Sequence, residues 1–383
     1  MLPSCVYFIN KLSLANLKAF LSCTKTNYAT DVKLDTKPYQ LHKLDQPPAS
    51  STTLSKADAV LYYTQLQSIR RLEASADNLY KSKMVRGFCH LYAGEEAVAV
   101  GIRAALRPSD AVITSYRDHG WAYLMGVNHT AILAELTGRQ KGCVRGKGGS
   151  MHLYTKNFYG GNGIVGAQVP LGVGVALALK YTGTTGVCVA LYGDGAANQG
   201  QLFEAFNIAK LWNIPCICVC ENNGYGMGTS SARAAANVEY YKRGDYIPGL
   251  RIDGMDILTV REAARYALDY CASGKGPLLI ESVTYSYRTK DEIQQVRQTR
   301  DPITLFKEKI TSSNLVSAEE IKKIDDEIKS EIDQATNVAK SDAEAGVDEL
   351  TADIYANNLE STIRNCLPFN PLSHKRIGEA VNL

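Results

Sequence analysis

Apolar positions Leu61, Leu66, Ile69 and Leu72 recur at roughly helical spacing and predict a helix over residues 56–83. Further along, short apolar runs alternate with helical stretches, the pattern of a parallel sheet with crossovers. Residues 111–114, 187–192, 215–220, 250–253 and 278–285 read as strands, and residues 169–181, 201–212 and 257–271 as helices. The first of these helices has small residues on most faces, which suits close packing. The last is stopped by Gly274, Gly276 and Pro277. Cys216, Cys218 and Cys220 alternate within an apolar run, so they share one face of a buried strand, and their spacing is wrong for zinc. After Tyr287 charges become dense and glycines nearly vanish. Ser317 with Glu320 is a capping-box signature, and Ile321, Ile324, Ile328 and Ile332 form a stripe beyond it. That stripe packs on the main domain or on a partner subunit.

The chain has 383 residues, 45% of them hydrophobic, enough for a large core in one big domain or two modest ones. A net charge of +3 gives no electrostatic case for nucleic acid or an anionic membrane, and no apolar run is long enough to span a bilayer. Lys11, Lys18 and Lys25 are the only charged side chains before Asp31, and Leu12, Leu14, Leu17 and Phe20 are spaced for one helical face. Residues 1–28 therefore read as a mitochondrial transit peptide, although Arg is missing and the apolar start leaves a secretory signal as the rival. Residues 29–55, with Pro38, Pro47 and Pro48, read as an extended arm. Residues 56–300 form the catalytic domain and 301–383 a helical extension. The ten cysteines read as free thiols.

The chemistry concentrates after two of the strands. One ends in Gly193-Asp194-Gly195 and the next in Glu221-Asn222-Asn223. Neighbouring parallel strands end at the same edge, where open α/β sheets bind ligands. Asp194 and Asn223 thus meet in space as hard oxygen ligands suited to Mg²⁺. Gly193 and Gly195 let the backbone approach a ligand, and the helix after Gly195 aims its amino end at a diphosphate. The bland reading is a strand-to-helix turn and a separate Asn-Asn turn. Gly161 to Gly166 matches G-x-G-x-x-G, but the preceding residues 154–159 are polar and aromatic, which argues against a dinucleotide site. Gly146-Lys147-Gly148-Gly149-Ser150 fails as a P-loop, because glycine follows the lysine.

Several strings resemble the pyruvate dehydrogenase α-subunit family of thiamine-diphosphate-dependent 2-oxoacid dehydrogenases. They are Arg86-Gly87-Phe88-Cys89-His90, Gly146 to His152, Asn157 to Pro170, Gly193 to Gly200, and Tyr225 to Ser230. Branched-chain 2-oxoacid subunits match less well, and bacterial acetoin dehydrogenase α subunits are closer but lack a presequence. The resemblance implies an α/β thiamine-diphosphate-binding fold, mainly parallel, with helices on both faces. It implies Mg²⁺ on Asp194, Asn223 and the Tyr225 carbonyl, and the diphosphate at Tyr116 and Arg117. Gly163, Val165, Gly195, Ala196 and Thr155 would line the cofactor, and His90 would sit near the substrate carboxylate. A lone histidine or arginine more often has a structural role. Here the string Ser115 to Gly120 tips Arg117 and His90 toward function. The implied activity is oxidative decarboxylation of pyruvate in the mitochondrial matrix, with acetyl transfer to a lipoyl group. The implied partners are a β subunit in an α₂β₂ heterotetramer, a lipoyl acyltransferase core, and a kinase and phosphatase. The activating glutamate would come from the β subunit, so Glu95 and Glu96 read as helix N-terminal acids.

One family segment is missing. No histidine occurs between His152 and His374, whereas the family carries a loop with H-G-H-S and D-P-G where Tyr285 here leads directly into Ser286-Tyr287-Arg288. Only Ser230 matches a family phosphosite. Either the chain is a working subunit with a shortened loop, or it assembles but is impaired.

Overall fold

The apolar runs at the centre of the chain pair side by side into one six-stranded sheet. A computed structural model describes residues 31–285, 299–354, 360–363 and 373. The expected leader, the join after Tyr285 and most of the chain beyond residue 354 lie outside the described residues.

The described chain opens with strands β1 (Asp31–Asp35), β2 (Gln40–His42) and β3 (Ser51–Ser55). Helix α1 (Lys56–Lys81) begins at Ser55, whose side chain accepts the Asp58 N–H. Then come α2 (Glu96–Ala105), β4 (Ala111–Ile113), α3 (His119–Leu124) and α4 (His129–Leu136). A long loop leads to α5 (Gln168–Tyr181), β5 (Cys188–Gly193), a 3₁₀ turn (Ala196–Asn198), α6 (Gly200–Leu211) and β6 (Cys216–Asn222). A hairpin of β7 (Tyr225–Gly226) and β8 (Thr229–Ser230) precedes α7 (Ser231–Ala234). The series closes with β9 (Gly249–Asp253), α8 (Ile257–Tyr270), β10 (Leu278–Val283), α9 (Pro302–Ser312) and α10 (Ala318–Ser341).

The sheet order is β2-β9-β10-β6-β5-β4. All neighbours are parallel except β2, which pairs antiparallel with β9 at the edge. Both faces are covered, as expected for parallel strands. Along β6, Cys216, Cys218 and Cys220 pack with α5 and α6, while Ile217 and Val219 join the larger core on the other face. The alternating cysteines thus share one buried face, and the sequence pattern of an α/β fold with helices on both faces is met.

Helix α10 resolves an open alternative. Ser317 Oγ accepts the Glu320 N–H at 3.1 Å, and Glu320 Oε2 accepts the Ser317 N–H at 2.8 Å. Its isoleucine stripe is buried against α1 and α4, so the stripe packs on the main body of this chain. Between α2 and α8 a Cβ on Gly101 would stand 2.7 Å from the Val260 side chain, so glycine permits that close crossing. Short helices α3, α4 and α7 are additions to the elements expected from the sequence, whereas α2 starts where Glu95 and Glu96 read as helix N-terminal acids and α9 falls in the expected helical extension.

Candidate active site at the carboxyl edge of the sheet

Strands β5 and β6 run parallel with Gly193 opposite Glu221, so the segments leaving them emerge at one edge. Asp194 is buried there, at 2% exposure. Asn223 closes a turn, its Oδ1 accepting the Tyr225 N–H at 3.2 Å. The β7–β8 hairpin then folds back until Gly226 touches Gly195. A Cβ on Gly195 would stand 3.0 Å from the Gly226 Cα. Only glycine permits that approach, which brings the Tyr225 segment beside Asp194. A Cβ on Gly193 would meet nothing within 4 Å beyond its chain neighbours. The donor set is a carboxylate, an amide oxygen and a backbone carbonyl, which fits a hard cation such as Mg²⁺. Among the described residues no cluster of three or more His, Cys, Asp or Glu forms a metal site of another kind.

The glycine-rich loop crosses the same edge. Asn162 Nδ2 donates to the Thr114 carbonyl at 3.3 Å, and Gln201 Nε2 donates to the Val165 carbonyl at 3.0 Å. The loop thereby spans from the end of β4 to the start of α6, with Gly163 beside the His152 ring. Ala196 opens the 3₁₀ turn, and α6 starts only at Gly200. The amino end offered next to Gly195 is therefore one 3₁₀ turn and not the α-helix terminus expected from the sequence. Thr155 is not drawn into this group by any bond among the described residues. Its backbone closes a turn on Phe158, accepting at 3.0 Å and donating at 3.3 Å.

On the β4 side, the His90 ring lies against Tyr116 with centroids 4.2 Å apart, and the Arg117 guanidinium sits 5.8 Å from the Tyr116 centroid. Arg117 Nη1 donates to the Leu91 carbonyl at 2.6 Å, leaving other N–H groups of its fork for an anion. Burial, with Arg117 and His119 nearby, pushes His90 down to about 4, so its ring is neutral at pH 7.

Glu95 does more than end a helix. Glu95 and Glu96 do stand at the amino end of α2, and Glu96 pairs with Arg70. Yet Glu95 is 2% exposed and accepts from Asn223 Nδ2 at 3.0 Å. Burial pushes its carboxyl upward, against the pull of Arg117 and Asn223, with Glu96 and Asp194 adding to the rise. Helix-end reasoning misses this contact with Asn223, because the partner lies 128 residues away. The available clue was its place shortly after the string that ends at His90.

Ser230 stands opposite Tyr225 in the β7–β8 pairing.

A family model described as "Dehydrogenase E1 component" matches residues 64–348. The chain is 59% identical to the probable pyruvate dehydrogenase E1 component subunit alpha, mitochondrial, of Caenorhabditis elegans, across 88% of both chains. It is 56% identical to the type II mitochondrial α subunit of Ascaris suum, across 88% of this chain and 89% of that one. With the somatic mitochondrial form of Homo sapiens the identity is 55%, across 88% and 90%. The chain belongs to the dehydrogenase E1 component family, in its pyruvate dehydrogenase E1 α-subunit branch.

Proposed function

We propose that this chain holds the metal and diphosphate end of thiamine diphosphate for the decarboxylation of pyruvate, with transfer of the acetyl group to a lipoyl group. The observation that carries the reading is the meeting of Asp194, Asn223 and the Gly195–Gly226 contact at one sheet edge. Asp194, Asn223 and the Tyr225 carbonyl hold Mg²⁺. Arg117 and Tyr116 meet the diphosphate, with the guanidinium fork matching its charge. Gly163, Val165, Gly195 and Ala196 form the walls, with Thr155 as a further lining residue. The bound cofactor supplies the electron sink for loss of CO₂. Neutral His90 offers a hydrogen bond to the substrate carboxylate without adding charge.

The outer face of α5 and α6 supports a partner subunit. Helix α5 is apolar nearly all round, which suits a fully buried helix. Yet Leu171, Leu177 and Tyr181 are exposed, and so are Leu211 and Trp212 at the end of α6. Exposed apolar side chains on two neighbouring helices fit a β subunit in an α₂β₂ heterotetramer. That assembly delivers the acetyl group to a lipoyl acyltransferase core. The chain is mitochondrial, as its relatives are named, with residues 1–28 as the leader to the matrix. A phosphate on Ser230, the target of a kinase and phosphatase, would face Tyr225 and disturb the metal carbonyl.

The short join after Tyr285 favours a second reading, an assembled but impaired subunit. The test is co-expression with a β subunit. Cofactor-dependent thermal stabilisation and pyruvate-dependent reduction of an artificial acceptor are then measured. Both are expected, and both vanish in Asp194→Ala. Stabilisation without turnover selects the impaired reading, and no stabilisation removes the cofactor site.

A further inference from the structure

Beneath His90 lies a buried ion pair that the chemistry above does not use. Glu73 of α1 and His119 at the start of α3 are 1% and 0% exposed. His119 Nδ1 stands 2.9 Å from Glu73 Oε2. Its Nε2 stands 3.0 Å from the Ser150 carbonyl and 2.9 Å from Ser150 Oγ. The Glu73 carboxylate and the Ser150 carbonyl only accept, and an imidazolium serves both, whereas a neutral ring accepting from the Ser150 hydroxyl would leave that carbonyl unmet. Burial opposes that charge, but Glu73, neighbouring Asp118 and the Ser150 backbone outweigh it and raise the group to about 9.

The pair grips the segment that bears His90. Ser150 Oγ accepts the His90 N–H at 3.2 Å, and Glu73 Oε1 accepts the Tyr92 N–H at 2.9 Å. Between them, the Leu91 carbonyl is held by Arg117 at 2.6 Å. Three consecutive residues are thus fixed from three separate segments of the chain. We propose that Glu73 and His119, acting through Ser150, are positioning residues that set the His90 ring against Tyr116. A buried ion pair is a weak source of net stability, and positioning gives this one a reason to exist. Apolar replacements would fill the space but strand the Tyr92 N–H and the Ser150 carbonyl.

The kinetic arm of the test rests on the pyruvate reading. It uses the complex assembled with its β subunit and the variants Glu73→Gln, Ser150→Ala and His90→Ala, singly and combined. Glu73→Gln is expected to lower kcat/KM about 10-fold while cofactor-dependent stabilisation persists. In the His90→Ala background it should cost no more than about twofold, whereas losses in Tm add. A second readout is the pH profile. Without Glu73, His119 loses its proton at lower pH, so kcat/KM falls earlier as pH rises than in the wild type. Independent kinetic losses, or an unshifted alkaline limb, overturn the proposal. If Glu73→Gln does not assemble, Ser150→Ala carries the same cycle with His90→Ala, and additive losses there overturn it equally. Failure of the underlying reading looks different: the wild-type complex itself then shows neither cofactor-dependent stabilisation nor pyruvate turnover. In that case the imidazolium is read instead from histidine-labelled ¹⁵N spectra, where a neutral His119 at pH 7 overturns the proposal.

Discussion

Asn223 Nδ2 donates to Glu95 Oε1 at 3.0 Å, tying the carboxyl end of β6 to the amino end of α2. The amide is suited to this place because its nitrogen donates to one carboxylate while its oxygen accepts the Tyr225 N–H. Asn223→Asp would replace the donor with a third carboxylate beside Glu95 and Asp194. Like charges so close cost about 2 kcal/mol or more when no cation is present. The metal-free variant should therefore melt well below the wild type, and Mg²⁺ with cofactor should recover most of the loss. Asn223→Ala strands Glu95 without adding charge, so its deficit should be nearly independent of Mg²⁺. Equal magnesium dependence in the two variants would contradict this account. Thermal melts with and without Mg²⁺ decide it.

Gly195 has an ordinary helical backbone conformation, with φ −64°, so alanine there strains nothing locally. Its Cβ would instead press on Gly226 at 3.0 Å. The β7–β8 hairpin, only two residues per strand, is the part that yields. Gly195→Ala should then cost little global stability, within about 1 kcal/mol, but weaken cofactor affinity at least tenfold. Titration of the assembled enzyme with cofactor, set beside its unfolding curve, measures both. An unchanged affinity would mean that the close approach has no bearing on the site.

The apolar face of α5 and α6 yields a separate expectation. Leu211 is 70% exposed and Tyr181 is 89% exposed, so a charge at either position disturbs no core. Leu211→Glu and Tyr181→Glu should leave the far-ultraviolet dichroism of the chain intact. Each should weaken assembly by about 2 kcal/mol or more if the position is central to the interface. Analytical ultracentrifugation with the β subunit reads this directly. Full assembly of both variants would place the interface elsewhere.

The residues that sequence reasoning brought together are those on strands. Gly193 and Asn223 follow long buried runs, and adjacent parallel strands must end together, so their meeting was legible. Helix α10 announced itself through a capping box and an apolar stripe. Helix α2 showed only its acidic start at Glu95 and Glu96, because Ala97 to Ile102 are all buried and leave no polar face to mark the period. For α9 a local signal existed in Asp301-Pro302, an N-cap followed by proline at the first helical position. Strands β1 to β3 are mostly polar, so only pairing with distant partners gives them regular form. Glu95 joins Asn223, and Glu73 joins His119, across long sequence separations that no local pattern encodes.

Asp301 combines two roles that a pH titration can separate. It caps α9, its Oδ2 accepting the Thr304 N–H at 3.0 Å, and it pairs with Arg70 Nη2 at 2.8 Å. Burial pushes its carboxyl up, but Arg70 and Thr304 outweigh burial and hold it below the usual aspartate range. A depressed carboxylate stabilises the fold above its unfolded value, near about pH 4, and that contribution fades as pH falls through the folded value. Asp301→Asn keeps a capping oxygen and loses the charge, and Arg70 retains Glu96 as partner. The variant should therefore lose about 1–2 kcal/mol at pH 7. Below about pH 4 the gap should close, because the wild-type carboxyl is then protonated as well. Denaturant unfolding of both chains at several pH values tests the sign. A gap that stays constant or widens in acid would show that Asp301 acts through its shape as a cap and not through its charge.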